Sequence, residues 1–460
     1  MELAQQKVEL TVKSERILYV GLFVNVLIIV MNTTMFNVAI PEIIIHFSLT
    51  PSSASRIVTS YSVVFAVGTV LYSKLSQQKS ISTLFTVGLS LFGIGSITGI
   101  LAVDYTVLLF SRVVQASGAC CVAALGIVII SRYIAIERRG RGMGVVSAAS
   151  TLGFGLGPLI GGIITQYLGW SFLFVISLVG VLTLPIYLYN LPKERSTAQS
   201  IDYLGLIYLL IGVISLLIFI TTSQFILLLG SLFFFIFWLH IKKVKNPMIP
   251  PDLLSNKVFI SIVLIGFLIF FINFSLLFLS PLLLAKVFNI SSAMIGMIIF
   301  PGAMLSAILA IYIGRMMDRV GSTMIIGFGI GCLLVSTSLF ALLSHLTSIT
   351  VIFFYLISSI GFSSITMGLP NYLSNYLSNE KFGSSIGVLQ LCQFIGGAFG
   401  VSISGKLLEF QGFQTIAIPF WSGGDQAFGM SYLFLAVLSI VALTIFGFLK
   451  FIIKTRTINS

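Results

Sequence analysis

GFGLGPLIGGIITQYLG, residues 153–169, and GGAFGVSISGKLLEFQG, residues 396–412, are the two stretches whose comparison decides the fold. At a constant offset of 243 positions, Gly153, Gly157, Gly162 and Gly169 meet Gly396, Gly400, Gly405 and Gly412. Small residues match as well, Gly155 with Ala398 and Gly161 with Ser404. Small residues recur in membrane helices because they let backbones approach closely. Four glycines at one offset point further, to a duplicated structural unit.

Both stretches lie inside long apolar runs. Of 460 residues, 57% are hydrophobic and 8% charged, whereas soluble domains carry roughly a quarter charged residues. A run of about 20 apolar residues is long enough for a helix to cross a hydrocarbon core of roughly 30 Å. Fourteen such runs can be read, at 17–40, 56–76, 82–103, 106–131, 141–166, 170–190, 203–222, 224–241, 258–285, 292–314, 322–344, 348–373, 383–408 and 430–453. The alternating ten-residue segments of a membrane β-barrel do not occur. The sequence therefore predicts an all-α integral membrane protein with fourteen spans.

The repeat then divides the chain. The glycine stretches occupy the fifth and thirteenth runs, each the fifth of a set of six. The loop after run 2, SKLSQQKS from Ser73, is echoed after run 10 by GRMMDRVGS from Gly314. The expected organisation is a tail over 1–16, a six-helix bundle over 17–190, an inserted helix pair with linkers over 191–256, a second six-helix bundle over 257–453, and a tail over 454–460.

Charge placement supports an even number of spans. With the amino terminus in the cytoplasm, 21 of the 25 Lys and Arg fall on the cytoplasmic side; Arg56, Lys286 and Lys406 fall opposite and Arg112 within a span. This is the positive-inside pattern, so the net charge of +12 records topology rather than a nucleic-acid footprint. Cys120, Cys121, Cys332 and Cys392 all lie in spans and imply no disulfide framework. The first apolar run is too long for a signal-peptide core, so no cleavable signal is expected. No paired aspartates, metal-spaced histidines, Ser–His set or nucleotide loop stands at membrane depth. An enzyme or receptor is disfavoured on that ground, and neither a metal nor a cofactor is expected.

Several motifs carry chemistry. In the fifth run Gly153, Gly157 and Gly161 share one helical face, while Gly162 and the helix-kinking Pro158 follow. In SRVVQASGACC, Arg112, Gln115 and Gly118 recur at i, i+3 and i+6. An arginine inside a span costs at least roughly 2.5–3.5 kcal/mol, so it must find interior partners. The first run ends MNTTMFNVAIPEI.

These motifs resemble those of the major facilitator superfamily. GLGPLIGG is similar to the antiporter motif of its drug exporters, and the Arg112 string to R-x-x-Q-G-x-G, with Ala116 replacing a glycine. NVAIPEI resembles N-V-A-L-P-x-I, and GRMMDRVGS resembles the gating loop G-x-L-x-D-R-x-G, with Gln77 replacing the aspartate in the first half. With fourteen spans, the resemblance is to fourteen-helix drug:proton antiporters, particularly the tetracycline efflux proteins of Gram-positive bacteria. It implies two bundles rocking about a central site, export of lipophilic drugs or tetracycline-like antibiotics, the proton gradient as energy source, and a monomer in a bacterial plasma membrane with cytoplasmic termini. It also assigns gating to Arg315, Asp318 and Arg319, with Asp318 capping the next helix or pairing with either arginine.

One departure bears on mechanism. Intramembrane glutamates of the tetracycline branch are replaced here by Thr33, Phe154 and Gly397, and the thirteen acids of this chain all stand in tails, loops or at span ends. A proton-coupled cycle normally uses a carboxylate or histidine within the membrane. Coupling, if present, falls to rim groups: Glu42, Asp104, Asp318 or Glu409. The candidate substrate contacts are Asn25, Asn32, Thr33, Asn37, Gln115, Phe154, Asn273, Gln390 and Gln393. Neutral amides among many Phe and Met suit a weakly polar amphipathic ligand. An uptake transporter or proton-independent facilitator for a small metabolite is the alternative.

Overall fold

The computed structural model describes residues 12–135, 138–192, 202–244, 247, 249–376, 379–410 and 426–459. Among the described residues sixteen α-helices follow one another: α1 Val12–Phe47, α2 Pro51–Leu75, α3 Ile81–Ile100, α4 Tyr105–Tyr133, α5 Arg139–Leu168, α6 Leu173–Val181, α7 Leu184–Asn190, α8 Tyr203–Thr222, α9 Leu232–Ile241, α10 Pro251–Ser255, α11 Lys257–Lys286, α12 Ser292–Val320, α13 Ser322–Leu343, α14 Ser348–Tyr376, α15 Asn379–Glu409 and α16 Gln426–Asn459. Short 3₁₀ segments precede α6 and α9. Among the described residues no strand occurs. Helices suit the bilayer because each satisfies its own backbone amides.

Among the described residues, thirteen segments are long and apolar enough to cross a membrane. The run expected at 224–241 is shorter, a 17-residue stretch from Phe225 to Ile241 that is 3₁₀ over its first seven residues and α-helical over its last ten. The sixth run is broken between α6 and α7, where Pro185 has no amide hydrogen to continue the ladder. Of the expected tails, 12–16 already belong to α1 and 454–459 continue α16, while 1–11 and 460 lie outside the described residues.

Below, the end of the molecule bearing the α1–α2, α3–α4 and α13–α14 connections is the far face, and the opposite end the near face. Ser, Thr or Asp caps several helix starts: Thr50 accepts from the Ser53 amide, Ser80 from Thr83 and Asp104 from Val107. These side chains satisfy amides that a helix leaves unpaired in its first turn.

The glycine repeat has a physical counterpart. A Cβ at Gly153 would lie 2.8 Å from the Leu27 carbonyl oxygen, and one at Gly157 3.0 Å from that of Met31. The equivalent Gly396 and Gly400 sit against the carbonyls of Phe267 and Phe271. So α5 lies on α1 as α15 lies on α11, backbone against backbone, within each half. A second glycine on each helix faces the other half. Gly162 meets Ser292 and Gly296 of α12, whereas Gly405 meets Pro51, Ser52 and Ser55 of α2. The result is two pseudo-equivalent seams between the halves, α5 against α12 and α15 against α2.

The seams are closed toward the far face. Gly155 meets Met304 near their midpoint, and the rings of Phe65 and Phe394 lie 4.9 Å apart there. Nearer the near face, a Cβ at Gly140, Gly144 or Gly387 would meet nothing within 4 Å. The described contacts between halves run from the far face to the middle, so the structure is far-closed. Helix α8 breaks the symmetry. Its Thr221 accepts from the Arg56 guanidinium (3.2 Å) and, through its carbonyl, from Ser52 (3.3 Å), which binds it to α2 beside α15.

Candidate functional site

Arg112 is fully buried, at 1% exposure, in the amino-terminal half. Its guanidinium lies between the rings of Phe36 (4.0 Å) and Tyr61 (4.2 Å). One terminal nitrogen donates to Asn32 Oδ1 at 2.7 Å and to Gln115 Oε1 at 2.6 Å. Asn32 Nδ2 donates onward to Ser177 (2.7 Å), and Gln115 Nε2 to Ser96 (3.0 Å). A buried arginine at membrane depth costs about 2.5–3.5 kcal/mol or more. Two hydrogen bonds from a charged donor return about 1.5–3 kcal/mol each, and two ring faces about 0.5–2 kcal/mol each. The cluster thus holds the charge without a carboxylate, and Arg112 does not reach the membrane surface.

Three amides predicted to meet substrate are therefore engaged within their own half. Asn32 and Gln115 hold Arg112. Asn25, fully buried, donates to Thr183 and, at 3.0 Å, to the Tyr187 hydroxyl, joining α1 to the α6–α7 break. Asn37 donates to the Thr33 carbonyl at 2.8 Å, leaving its Oδ1 buried without a partner, and the Thr33 hydroxyl turns back to the Val30 carbonyl at 2.6 Å. Gly118, from the same motif as Arg112, lets α4 press on the Gly88 carbonyl and the Phe92 backbone of α3.

The carboxyl-terminal half presents a different surface. Phe270, Phe274, Phe362 and Phe394 form a connected set of rings, with Phe270 at 5.1 Å from Phe362 and 5.6 Å from Phe394. Phe65 and Phe154 reach this set from the other half, the latter 6.4 Å from Phe362. Gly397 completes the packing, because a Cβ there would meet the Phe274 ring at 2.9 Å. Two amides flank the rings: Asn273 on α11 and Gln393 on α15, the latter against Gly266. Each is at least nine-tenths buried, at 4% and 6% exposure, yet neither hydrogen-bonds another described residue. Gly266 and Asn273 are seven residues apart, about 10 Å along a helix. Gln390, one turn from Gln393, is exposed.

The gating residues lie elsewhere. Arg315, Asp318 and Arg319 are exposed in the last turns of α12, which stays helical through Val320 and turns at Gly321 with φ +84. Asp318 neither caps α13 nor pairs with either arginine. The helix carries it past the turn instead of into a loop, and it lines an open cavity of about 570 Å³ with Asn371, Tyr372 and Tyr376. Arg315 lies over the Tyr312 ring at 5.9 Å. On the near face the bidentate pair is Arg138 with Glu15, at 2.7 and 3.1 Å. Glu42, at the far end of α1, accepts from Ser292 of α12 at 3.3 Å. This contact crosses between the halves, as do those of Gly162 on α5 and of Pro158, whose carbonyl meets Gly296. Gly161 stays on α1, against Met35.

The acids with described side chains, Glu15, Glu42, Asp104, Asp202, Asp252, Asp318 and Glu409, all stand at helix ends. Glu2, Glu9, Glu137, Glu194 and Asp425 lie outside the described residues. No group of three or more metal-ligating side chains occurs among the described residues. What remains is a ring-lined middle with no carboxylate among the described residues.

The sequence profile of the Major Facilitator Superfamily matches residues 22–401. The chain belongs to that superfamily. It is a multi-pass protein of the plasma membrane and a secondary transporter of a small molecule, not an enzyme. Among curated relatives it is similar to the riboflavin transporter RibZ of Clostridioides difficile (strain 630), at 26% identity over 90% of this chain and 92% of that protein. It is also similar to the multidrug resistance protein Stp of Mycobacterium tuberculosis (strain ATCC 25618 / H37Rv), at 24% identity over 84% of this chain and 74% of Stp. The crystal structure of a bacterial homologue of the human lysosomal transporter Spinster, inward-facing and unoccupied, shares the fold with a TM-score of 0.68 at 14% identity, over 95% of this chain and 97% of that one. The particular branch of fourteen-helix tetracycline exporters is not singled out by these likenesses.

Proposed function

We propose that this superfamily member is an alternating-access carrier for an uncharged, planar aromatic metabolite, moved down its own gradient without obligatory proton exchange. The observation that carries the reading is the Phe270–Phe274–Phe362–Phe394 floor with the free amides of Asn273 and Gln393 at its edges. Aromatic rings stack on a flat ligand, and two unpaired amides, each donor and acceptor, suit a ring system whose edges carry carbonyl and N–H groups. A flavin has that chemistry, and the likeness to a riboflavin transporter makes riboflavin the first substrate to test. Phe154 faces the same rings from the first half, and Gln390 lies one turn from Gln393. No described carboxylate stands at mid-membrane to take a proton from one side to the other.

On this reading the near face is cytoplasmic, both termini lie there and the protein works as a monomer in a bacterial membrane. Fourteen spans agree with that topology. In 3₁₀ geometry seven residues rise about 14 Å, and ten α-helical residues add about 15 Å, so 225–241 is long enough to cross. A second reading, proton-linked export of lipophilic drugs, is favoured by the likeness to Stp.

The two separate in proteoliposomes. Counterflow of radiolabelled riboflavin that persists with a protonophore supports the carrier reading. Absence of counterflow, together with protonophore-sensitive ethidium or tetracycline movement, would replace it with the drug exporter.

A further inference from the structure

The far face is held shut by more than glycine packing. Glu409, the last residue of α15, accepts a hydrogen bond from the Ser52 amide in the first turn of α2, at 2.8 Å. Glu42, near the end of α1, accepts from the Ser292 hydroxyl at the first residue of α12, at 3.3 Å. α2 and α12 are pseudo-equivalent helices, each packed on the other half through the repeated glycines Gly405 and Gly162. So a half-buried carboxylate from the opposite half sits at the amino-terminal turn of each. A helix start carries partial positive charge and unpaired amides, and a carboxylate there is held by both.

We infer that Glu409 and Glu42 form a two-point latch at the far face that loosens when protonated, so that far-side acidity shifts the carrier toward its far-open state. A protonated carboxyl keeps an oxygen that can accept a hydrogen bond but loses the charge that the helix end attracts. The inference rests on the alternating-access reading above, and it separates sensing from driving. Both carboxylates lie toward the far ends of their helices, with the mid-level contacts Gly155–Met304 and Phe65–Phe394 between them and the near face. A proton arriving from the far side therefore leaves to the far side, and the latch responds to pH without carrying protons across.

Among the described residues, other charged and titratable groups stand on the elements packed around the two carboxylates. Around Glu409 they are Arg56 of α2, engaged with Thr221 of α8, Tyr105 of α4, whose hydroxyl donates to the Ser53 carbonyl at 2.6 Å, and Lys406 on α15 itself. Around Glu42 they are His46, one turn on and in ring contact with Phe47 and Trp170, and Lys286 at the end of α11. None of these takes the place of the carboxylate at Ser52 or Ser292.

The test is pulsed electron–electron distance measurement on full-length protein in nanodiscs, with the four cysteines replaced by alanine. One spin-label pair at Val103 and Leu346 spans the far face, and a second pair at Met143 and Met324 spans the near face; all four positions are exposed. When the buffer is moved from about pH 7.5 to about pH 4.5, the far-face distance should lengthen while the near-face distance shortens. Glu42→Gln with Glu409→Gln should populate the long far-face distance several-fold more at the higher pH and remove the pH response. Distances in the native-latch protein that do not change with pH would overturn the inference, and this arm needs no variant to fold. A pH response that survives in the double variant would overturn it equally. The labels report with no substrate present, so a failure of riboflavin transport leaves this outcome readable.

Discussion

Gly153→Ala and Gly162→Ala add the same methyl group to the same helix, yet the structure assigns them different consequences. At Gly153 the new Cβ meets the Leu27 carbonyl at 2.8 Å and Val30 at 2.9 Å, both on α1 of its own half. At Gly162 it meets the Ser292 carbonyl and the Gly296 Cα at 3.1 Å, across the seam on α12. Overpacking of this kind costs about 1–3 kcal/mol, less up to about 1 kcal/mol that alanine recovers as the better helix former. Backbone atoms cannot swing aside, which places both near the upper end, at a net cost of about 2 kcal/mol. For Gly153→Ala that cost falls on every state in which α1 and α5 are packed, so thermal stability in detergent drops and the balance of states does not move. For Gly162→Ala the overpacking falls on the far-closed state alone, while the helical gain is common to both states and cancels. About 3 kcal/mol is then roughly a hundredfold shift toward far-open, since each 1.4 kcal/mol is tenfold. The spin-label pair at Val103 and Leu346 measures the shift directly. If Gly162→Ala lowers stability as Gly153→Ala does and leaves the far-face distance distribution unchanged, the seam does not open as a unit and the reasoning fails.

Other outcomes follow from the asymmetry between the halves. Asn32→Ala removes an acceptor from Arg112 and should cost about 1.5–3 kcal/mol of stability, seen as a lowered thermal midpoint; an equal loss in Asn273→Ala would contradict the free state of that amide. Asn273→Leu and Gln393→Leu should each raise the KM for riboflavin roughly tenfold, the loss of about one hydrogen bond to substrate, with the thermal midpoint unchanged. Glu15→Gln breaks the bidentate pair with Arg138 and should lower stability by about 1 kcal/mol after allowance for the partly exposed arginine, in the same thermal assay. Cys120 and Cys121 are fully buried, so maleimide should label neither until the protein is unfolded; rapid labelling in the native state would contradict the packing of α4 on α2 and α3.

Much of the architecture was readable from residue order alone. Apolar runs of about 20 residues have few outcomes other than spanning helices, and the glycine offset marked the matching packings of α5 on α1 and α15 on α11 because backbone contact at Leu27, Met31, Phe267 and Phe271 tolerates nothing larger. The second face of α5 was not readable, since Gly155 and Gly162 look like further packing glycines until α12 is in place. The stretch at 225–241 read as an ordinary span because composition does not distinguish 3₁₀ from α. The site was legible only in part. An amide in a membrane helix has the same appearance whether it holds an arginine, as Asn32 and Gln115 do, or stands free, as Asn273 and Gln393 do. That difference depends on which side chains arrive from other helices. Asp318 misled for a related reason: a loop motif was read where the helix in fact runs on to Val320.

The clamp of α8 on α2 makes the two seams mechanically unequal. Where α15 meets α2, any widening must shear the hydrogen bonds from Ser52 and Arg56 to Thr221, or drag the whole inserted hairpin with it. Where α5 meets α12, no comparable α8 contact occurs among the described residues. A molecule dissolved in the bilayer thus faces one seam reinforced by α8 and one without that reinforcement.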